Sequence, residues 1–179
     1  MTVDGFVAGP EGQLDWIWIK GKTDDPEAGR RIIELADSCD TILLGRKMAA
    51  GFTDYWENVL DNEPNSPFYD ISKRMVNMRK IVFSHTQTTI EGRNIEVENS
   101  DLATAVQALK QQPGKDIIVY GGASFASALI SLNLVDEYYL FINPVAIGKG
   151  LSIFKEQKIL KLDGSTSFAN GKVLNKYLP

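Results

Sequence analysis

Short apolar runs alternate with stretches of helical spacing along this chain. Thr41, Ile42, Leu43 and Leu44 form a run of the kind buried on both faces of a central strand. Lys80 to Ser84 and Ile117 to Tyr120 read as further strands, Ile95 to Val97 as a short one and Asp136 to Ile142 as a long one. Between them, Ile32, Ile33, Leu35 and Ala36 mark the apolar stripe of a helix that Asp25 caps and Pro26 begins. A second helix opens at Gly45 and Arg46 and runs towards Tyr55 and Trp56. A third covers residues 68–78, after a polar, proline-broken loop at 62–67. Asp101 caps a helix carrying Leu102, Val106 and Leu109, which Pro113 and Gly114 end. Gly121 and Gly122 turn into another, with Phe125, Leu129 and Ile130 on it. Asn170 and Gly171, between Phe168 and Val173, predict a terminal β-hairpin. Residues 1–8 read as the tail of a strand whose earlier part is missing, followed by a turn around Gly9, Pro10 and Gly12.

Strands alternating with helices predict a three-layer α/β fold with a mostly parallel central sheet. The C-terminal hairpin is expected to add antiparallel strands at one edge. No repeat, low-complexity tract or linker divides the 179 residues, so a single domain is expected. With 44% hydrophobic residues the chain is too apolar for disorder to dominate. No apolar stretch approaches the ~18 residues of a membrane span. Nineteen Lys and Arg against 23 Asp and Glu leave a net charge of −4, which disfavours a nucleic-acid binder but permits a local basic pocket. The one cysteine, Cys39, allows no internal disulfide, and no signal-peptide pattern opens the chain, so a cytoplasmic home is expected. Cys39 and the one histidine, His85, cannot build a zinc site of the usual kinds, and no metal is expected. Cys39 also reads as lying on a buried helix end, away from any Cys–His pair.

In open α/β sheets, ligands bind beyond the carboxyl ends of the strands. Two strand ends here lead through glycine straight into a helix: Gly45, Arg46 and Lys47 after the first, and Gly121, Gly122, Ala123 and Ser124 after the second. Glycine lets a phosphate approach the backbone, and the unpaired N–H groups of the next helix favour its negative charge. Arg46 and Lys47 add cations, and a guanidinium suits bidentate phosphate contact. Two such turns point to a ligand with separated phosphates, as in a dinucleotide, although the same glycines also serve tight turns and close helix packing. The chain has neither the Gly-x-Gly-x-x-Gly pattern nor a P-loop, which disfavours an ordinary dinucleotide Rossmann domain and a P-loop NTPase.

The order of short motifs is more specific than any one of them. Asp4 to Ala8, Leu14 to Trp16, Leu44 to Lys47, Lys80 to Ser84 and Ile118 to Ala123 follow one another. Val135 to Glu137, Asn143 with Pro144, and Gly148 to Gly150 complete the series. The set spans nearly the whole chain and resembles the dihydrofolate reductase-like superfamily. It is most similar to the branch that contains the C-terminal reductase domain of the bacterial riboflavin biosynthesis deaminase-reductase.

The resemblance implies an NADPH-dependent reductase, often a homodimer, acting on a small heteroaromatic substrate such as 5-amino-6-(5-phosphoribosylamino)uracil. It assigns Gly45, Arg46 and Lys47 to the cofactor's phosphates, and Ser84, His85 and Thr86 to the adenosine 2′-phosphate. Gly121, Gly122, Ala123, Ser124 and Phe125 would wrap the pyrophosphate, and Val7 and Ala8 would approach the nicotinamide ribose. In dihydrofolate reductases a carboxylate on the first helix binds the pterin. Counting back from Gly45, this chain has Gly29 and Arg30 there, with Asp25 and Glu27 out of register. That departure argues against dihydrofolate as substrate. Asp15, Glu27 and Asp54 are the candidate proton donors, since most C=N and C=O reductions need one. Trp16, Trp18, Tyr55 and Trp56 are candidates for an aromatic wall along a flat substrate, or for ordinary packing. Val135, Tyr138 and Leu140 are candidates to face a second subunit, while Asp136 and Glu137 read as a cap and an edge guard. Three other readings stay open: a dihydrofolate or pterin reductase, a binding module of the same fold without turnover, and a cleft for another phosphorylated metabolite.

Overall fold

The apolar run from Thr41 to Leu44 becomes the middle of β1 (Cys39–Gly45), and Ile42, Leu43 and Leu44 are fully buried there. The computed structural model describes residues 1–17 and 25–179. It divides the chain into two compact units, one of Met1–Gly29 with Ala126–Pro179, the other Arg30–Phe125. Among the described residues no helix is long and apolar enough to cross a membrane.

The Arg30–Phe125 unit is built on a parallel four-stranded sheet. Along the chain come α1 (Pro26–Asp37), β1, α2 (Arg46–Asn62), α3 (Tyr69–Asn77), β2 (Arg79–Phe83), β3 (Ile95–Glu98), α4 (Leu102–Lys110) and β4 (Asp116–Gly121). The sheet order is β3-β2-β1-β4, all pairs parallel. Successive strand residues point to opposite faces. Ile42, Leu44 and Val82 therefore share one face, where they pack with Ala36 of α1, Ala49 and Phe52 of α2, and Ile71 and Met75 of α3. The helix starts follow their caps. Asp25 Oδ1 accepts the N–H groups of Glu27 and Ala28 at 2.9 and 3.2 Å, and Asp101 Oδ1 accepts that of Thr104 at 2.9 Å.

One polar residue of this core could not be placed from its neighbours. Lys80 in β2 is 1% exposed, and its Nζ donates to the carbonyls of Met75, Val76 and Met78 at 3.0, 2.8 and 2.8 Å. Those carbonyls belong to the C-terminal end of α3, where a helix leaves its last acceptors unpaired and favours a cation. Burial pushes the Lys80 ammonium down to about 8, against a smaller upward pull from Glu57.

The other unit completes α5 (Ala123–Ser131) and adds β5 (Tyr138–Ile142), β6 (Lys161–Ser167) and β7 (Val173–Leu178). These strands form an antiparallel sheet of their own, in the order β5-β7-β6, rather than extending an edge of the parallel sheet. The hairpin between β6 and β7 closes where Asn170 and Gly171 predict it, with Gly171 at φ +81°. Residues 1–8 make isolated bridges instead of a regular strand, Thr2 with Asn143 and Ala8 with Leu151. Two expectations change here. Tyr138 is only 4% exposed and packs against Phe154, so it cannot face a second subunit. Cys39 lies not on a helix end but at the start of β1, half-buried, its thiol donating to the carbonyl of Leu35 at 3.3 Å. Glu137 is tied to Lys176 at 2.9 Å, and the same ammonium reaches Asp163 at 3.1 Å, so Glu137 fastens strands together.

Candidate nucleotide site

β1 sits between β2 and β4, so the carboxyl ends of these three parallel strands are neighbours. The register makes this explicit: Gly45 lies opposite Phe83, and Leu44 opposite Gly121. Residues 45–47, 84–86 and 121–125 therefore gather along one sheet edge within one unit. No carboxylate occurs among them.

At the first turn, Gly45 is the extended N-cap residue of α2, and no side chain caps that helix. Its first-turn N–H groups are left for another acceptor. Arg46 and Lys47 are exposed and make no ion pair among the described residues. At the second turn Gly122 takes φ +85°, a left-handed conformation that L side chains rarely adopt, and α5 follows at once. Ser124 in its first turn is exposed. Neighbouring side chains also fill the space beside Gly45 and Gly121. A Cβ on Gly45 would stand 2.8 Å from the Cβ of Phe125, and one on Gly121 would stand 2.1 Å from the Sδ of Met48. Phe125 packs its ring on Phe83 at 5.3 Å between centroids, joining the ends of β2 and α5. It holds the turns together from within.

The third turn is closed on itself. Ser84 is 5% exposed, and its Oγ accepts the N–H groups of Thr86 and Gln87 at 3.2 and 2.9 Å. His85 and Thr86 are exposed. A helix start without a side-chain cap, the Gly122 turn leading into α5, two cations, two exposed hydroxyls and an imidazole, with no acid between them, fit a ligand carrying several phosphates.

The remaining candidates lie elsewhere. Val7 and Ala8 belong to the unit of residues 1–29 and 126–179. There the N–H of Val7 donates to the carbonyl of Leu151, and Leu151 returns a bond to Ala8, both at 2.8 Å. Asp15 and Glu27 are exposed in that same unit, Glu27 in the first turn of α1. Asp54 is exposed on α2, eight residues beyond Arg46 and so about 12 Å along the helix axis. Trp16 is buried, and its indole N–H has no partner among the described residues. Trp18 lies outside the described residues.

Tyr55 is 46% exposed and stands edge-on to Trp56, with 4.9 Å between centroids. Trp56 leans on Phe52, and Phe52 on Tyr120 at 5.3 Å. The aromatic cluster thus runs from α2 to the residue just before Gly121. Tyr120 was not singled out by the sequence reading, although its place beside Gly121 was the available signal. Burial raises its phenol pKa, with a smaller contribution from nearby Tyr55.

Two surface depressions of about 280 and 270 Å³ lie at the opposite, amino-terminal edge of the parallel sheet. Their charged groups are already engaged: Arg74 with Asp37 at 2.6 Å, Arg79 with Glu96 at 2.7 Å, and Lys115 with the carbonyl of Asp37 at 2.8 Å. Cys39, lining the larger, is no activated thiol, since burial raises its pKa. The carboxyl edge is the better candidate on chemical grounds.

Comparison with known proteins gives the family and the fold. A family model described as the RibD C-terminal domain matches residues 1–174. A Bacillus subtilis (strain 168) protein, the uncharacterized YyaP, is 36% identical over 97% of this chain and 88% of its own length. Among solved structures, the chain superposes on a Thermotoga maritima diaminohydroxyphosphoribosylaminopyrimidine deaminase/5-amino-6-(5-phosphoribosylamino)uracil reductase. The TM-score is 0.62 at 19% identity, over 99% of this chain and 54% of that one. An Enterococcus faecalis dihydrofolate reductase complexed with NADP(H) gives a TM-score of 0.58 at 16% identity, over 99% and 91%. The fold is therefore dihydrofolate reductase-like, and the chain belongs to the RibD C-terminal domain family.

Proposed function

We propose that this protein is an NADPH-dependent reductase of a small heteroaromatic substrate, of the 5-amino-6-(5-phosphoribosylamino)uracil reductase kind. The observation that carries the reading is the meeting of three turns, 45–47, 84–86 and 121–125, at one edge of the parallel sheet. The family and the names of two solved neighbours, both reductases and one complexed with NADP(H), support it. In this reading the N–H groups at the start of α2, with Arg46 and Lys47, hold one phosphate. The Gly122 turn and Ser124 hold its neighbour, and His85 with Thr86 receive the 2′-phosphate. The cofactor, when bound, supplies a hydride. The protein's part is to align it with a flat acceptor and exclude water.

The test is turnover, followed as loss of reduced-nicotinamide absorbance with the phosphoribosylaminouracil as acceptor and dihydrofolate in parallel. Oxidation of NADPH with the pyrimidine and not with dihydrofolate is the expected result. Tight NADPH binding without oxidation against either acceptor, or against a quinone, would favour a nucleotide-binding module. That second reading draws on the exposure of Asp15, Glu27 and Asp54, none of which is held in a buried setting.

A further inference from the structure

The turn after β2 is shaped by a residue outside every motif considered so far. Asn99, the residue after β3, donates from Nδ2 to the carbonyls of both Ser84 and Gln87, the latter at 2.8 Å. The N–H of Ser84 donates to the carbonyl of Glu98 at 3.0 Å, mooring the turn to the end of β3. Inside the turn the Ser84 hydroxyl takes the N–H groups of Thr86 and Gln87. The main-chain groups of the turn are thus largely spent on holding its shape. What it offers outward are the exposed side chains of His85 and Thr86, which have no partner among the described residues.

We propose that Asn99 is a positioning residue for cofactor selectivity. By tying two carbonyls together it fixes residues 84–87 in the form that presents His85 and Thr86 to a phosphate on the adenosine ribose. The proposal rests on the reductase reading above. A turn ordered before binding loses no further freedom when the ligand arrives. NADPH carries a phosphate ester at that ribose position and NADH a hydroxyl, so a loosened turn weakens NADPH far more than NADH. Asn99 spends both of its amide bonds inward, and so acts through the turn.

The experiment is a pair of dissociation constants, NADPH and NADH, for the wild-type protein, Asn99→Ala, Asn99→Ser and Gln87→Ala. The last is a control, because Gln87 contributes main-chain groups alone to the turn. In Asn99→Ala the NADPH constant should rise about tenfold while that for NADH stays within about twofold; Gln87→Ala should keep the wild-type ratio. Equal losses for the two nucleotides would mean a general structural role and overturn the proposal, as would an unchanged ratio. If Asn99→Ala does not fold, Asn99→Ser, with its shorter donor, must shift the ratio in the same direction. Wild-type protein that binds neither nucleotide would overturn both the proposal and the reading beneath it.

Discussion

Gly45, Gly121 and Gly122 occupy two similar turns for three different local reasons. Gly45 makes room for Phe125, Gly121 for Met48, and Gly122 supplies a left-handed backbone. Their place at strand ends was legible in the sequence, because glycine directly after an apolar run marks a turn. The packing partners were not, because Phe125 reaches Gly45 from a helix far along the chain. Single side chains also carry stability predictions. The Tyr138 hydroxyl is buried with no partner among the described residues, and burial of the ring raises its pKa. Tyr138→Phe should leave stability unchanged or raise it by about 1 kcal/mol, since it removes an unsatisfied polar group. A denaturant midpoint clearly below that of the wild type would show that the hydroxyl has a partner in solution.

At the scale of elements, the helix caps at Asp25 and Asp101 follow from local rules, and both form as the sequence predicts. Strand pairing is a tertiary choice, and there the sequence was less informative. The β6–β7 hairpin joins β5 in a separate sheet because nothing local in a hairpin says which edge it will meet. Lys80 shows the same limit. Strand alternation does not announce that an ammonium will be buried, and its reason for being there is the end of α3. The consequence is measurable. The folded pKa of Lys80, about 8, lies below its ordinary value of 10.5. Between these values the unfolded chain binds more protons than the folded one, so stability rises with pH. The contribution is fully present above about pH 10.5 and is lost as pH falls through about 8. Urea unfolding of the wild type and Lys80→Met between pH 7.5 and 10 should show the wild type gaining about 1–3 kcal/mol on the variant as pH rises. A constant difference across that range would mean that the three carbonyls keep the ammonium charged.

The whole molecule poses the question of function. Much of the candidate site could be read from the sequence, because each of its three segments is a short run directly after a strand. The sheet order that brings the runs together could not, since it depends on β1 lying between β2 and β4. The role of Asn99 is equally invisible in the sequence, because its hydrogen bonds reach across a strand pair to a turn distant along the chain. The candidate proton donors Asp15, Glu27 and Asp54 are all exposed, and no motif ties them to one another.

In the proposed function, the carboxyl edge of the parallel sheet binds NADPH. The most direct test is titration of the protein with NADPH, and with NADH in parallel, followed by quenching of tryptophan fluorescence. Arg46→Glu and Gly122→Asp each bring a negative charge to one of the two helix starts. Saturable, micromolar-range NADPH binding, weaker NADH binding, and a loss of about tenfold or more in each variant are the expected results. Absence of saturable binding to the wild type, or undiminished binding in both variants, would contradict it.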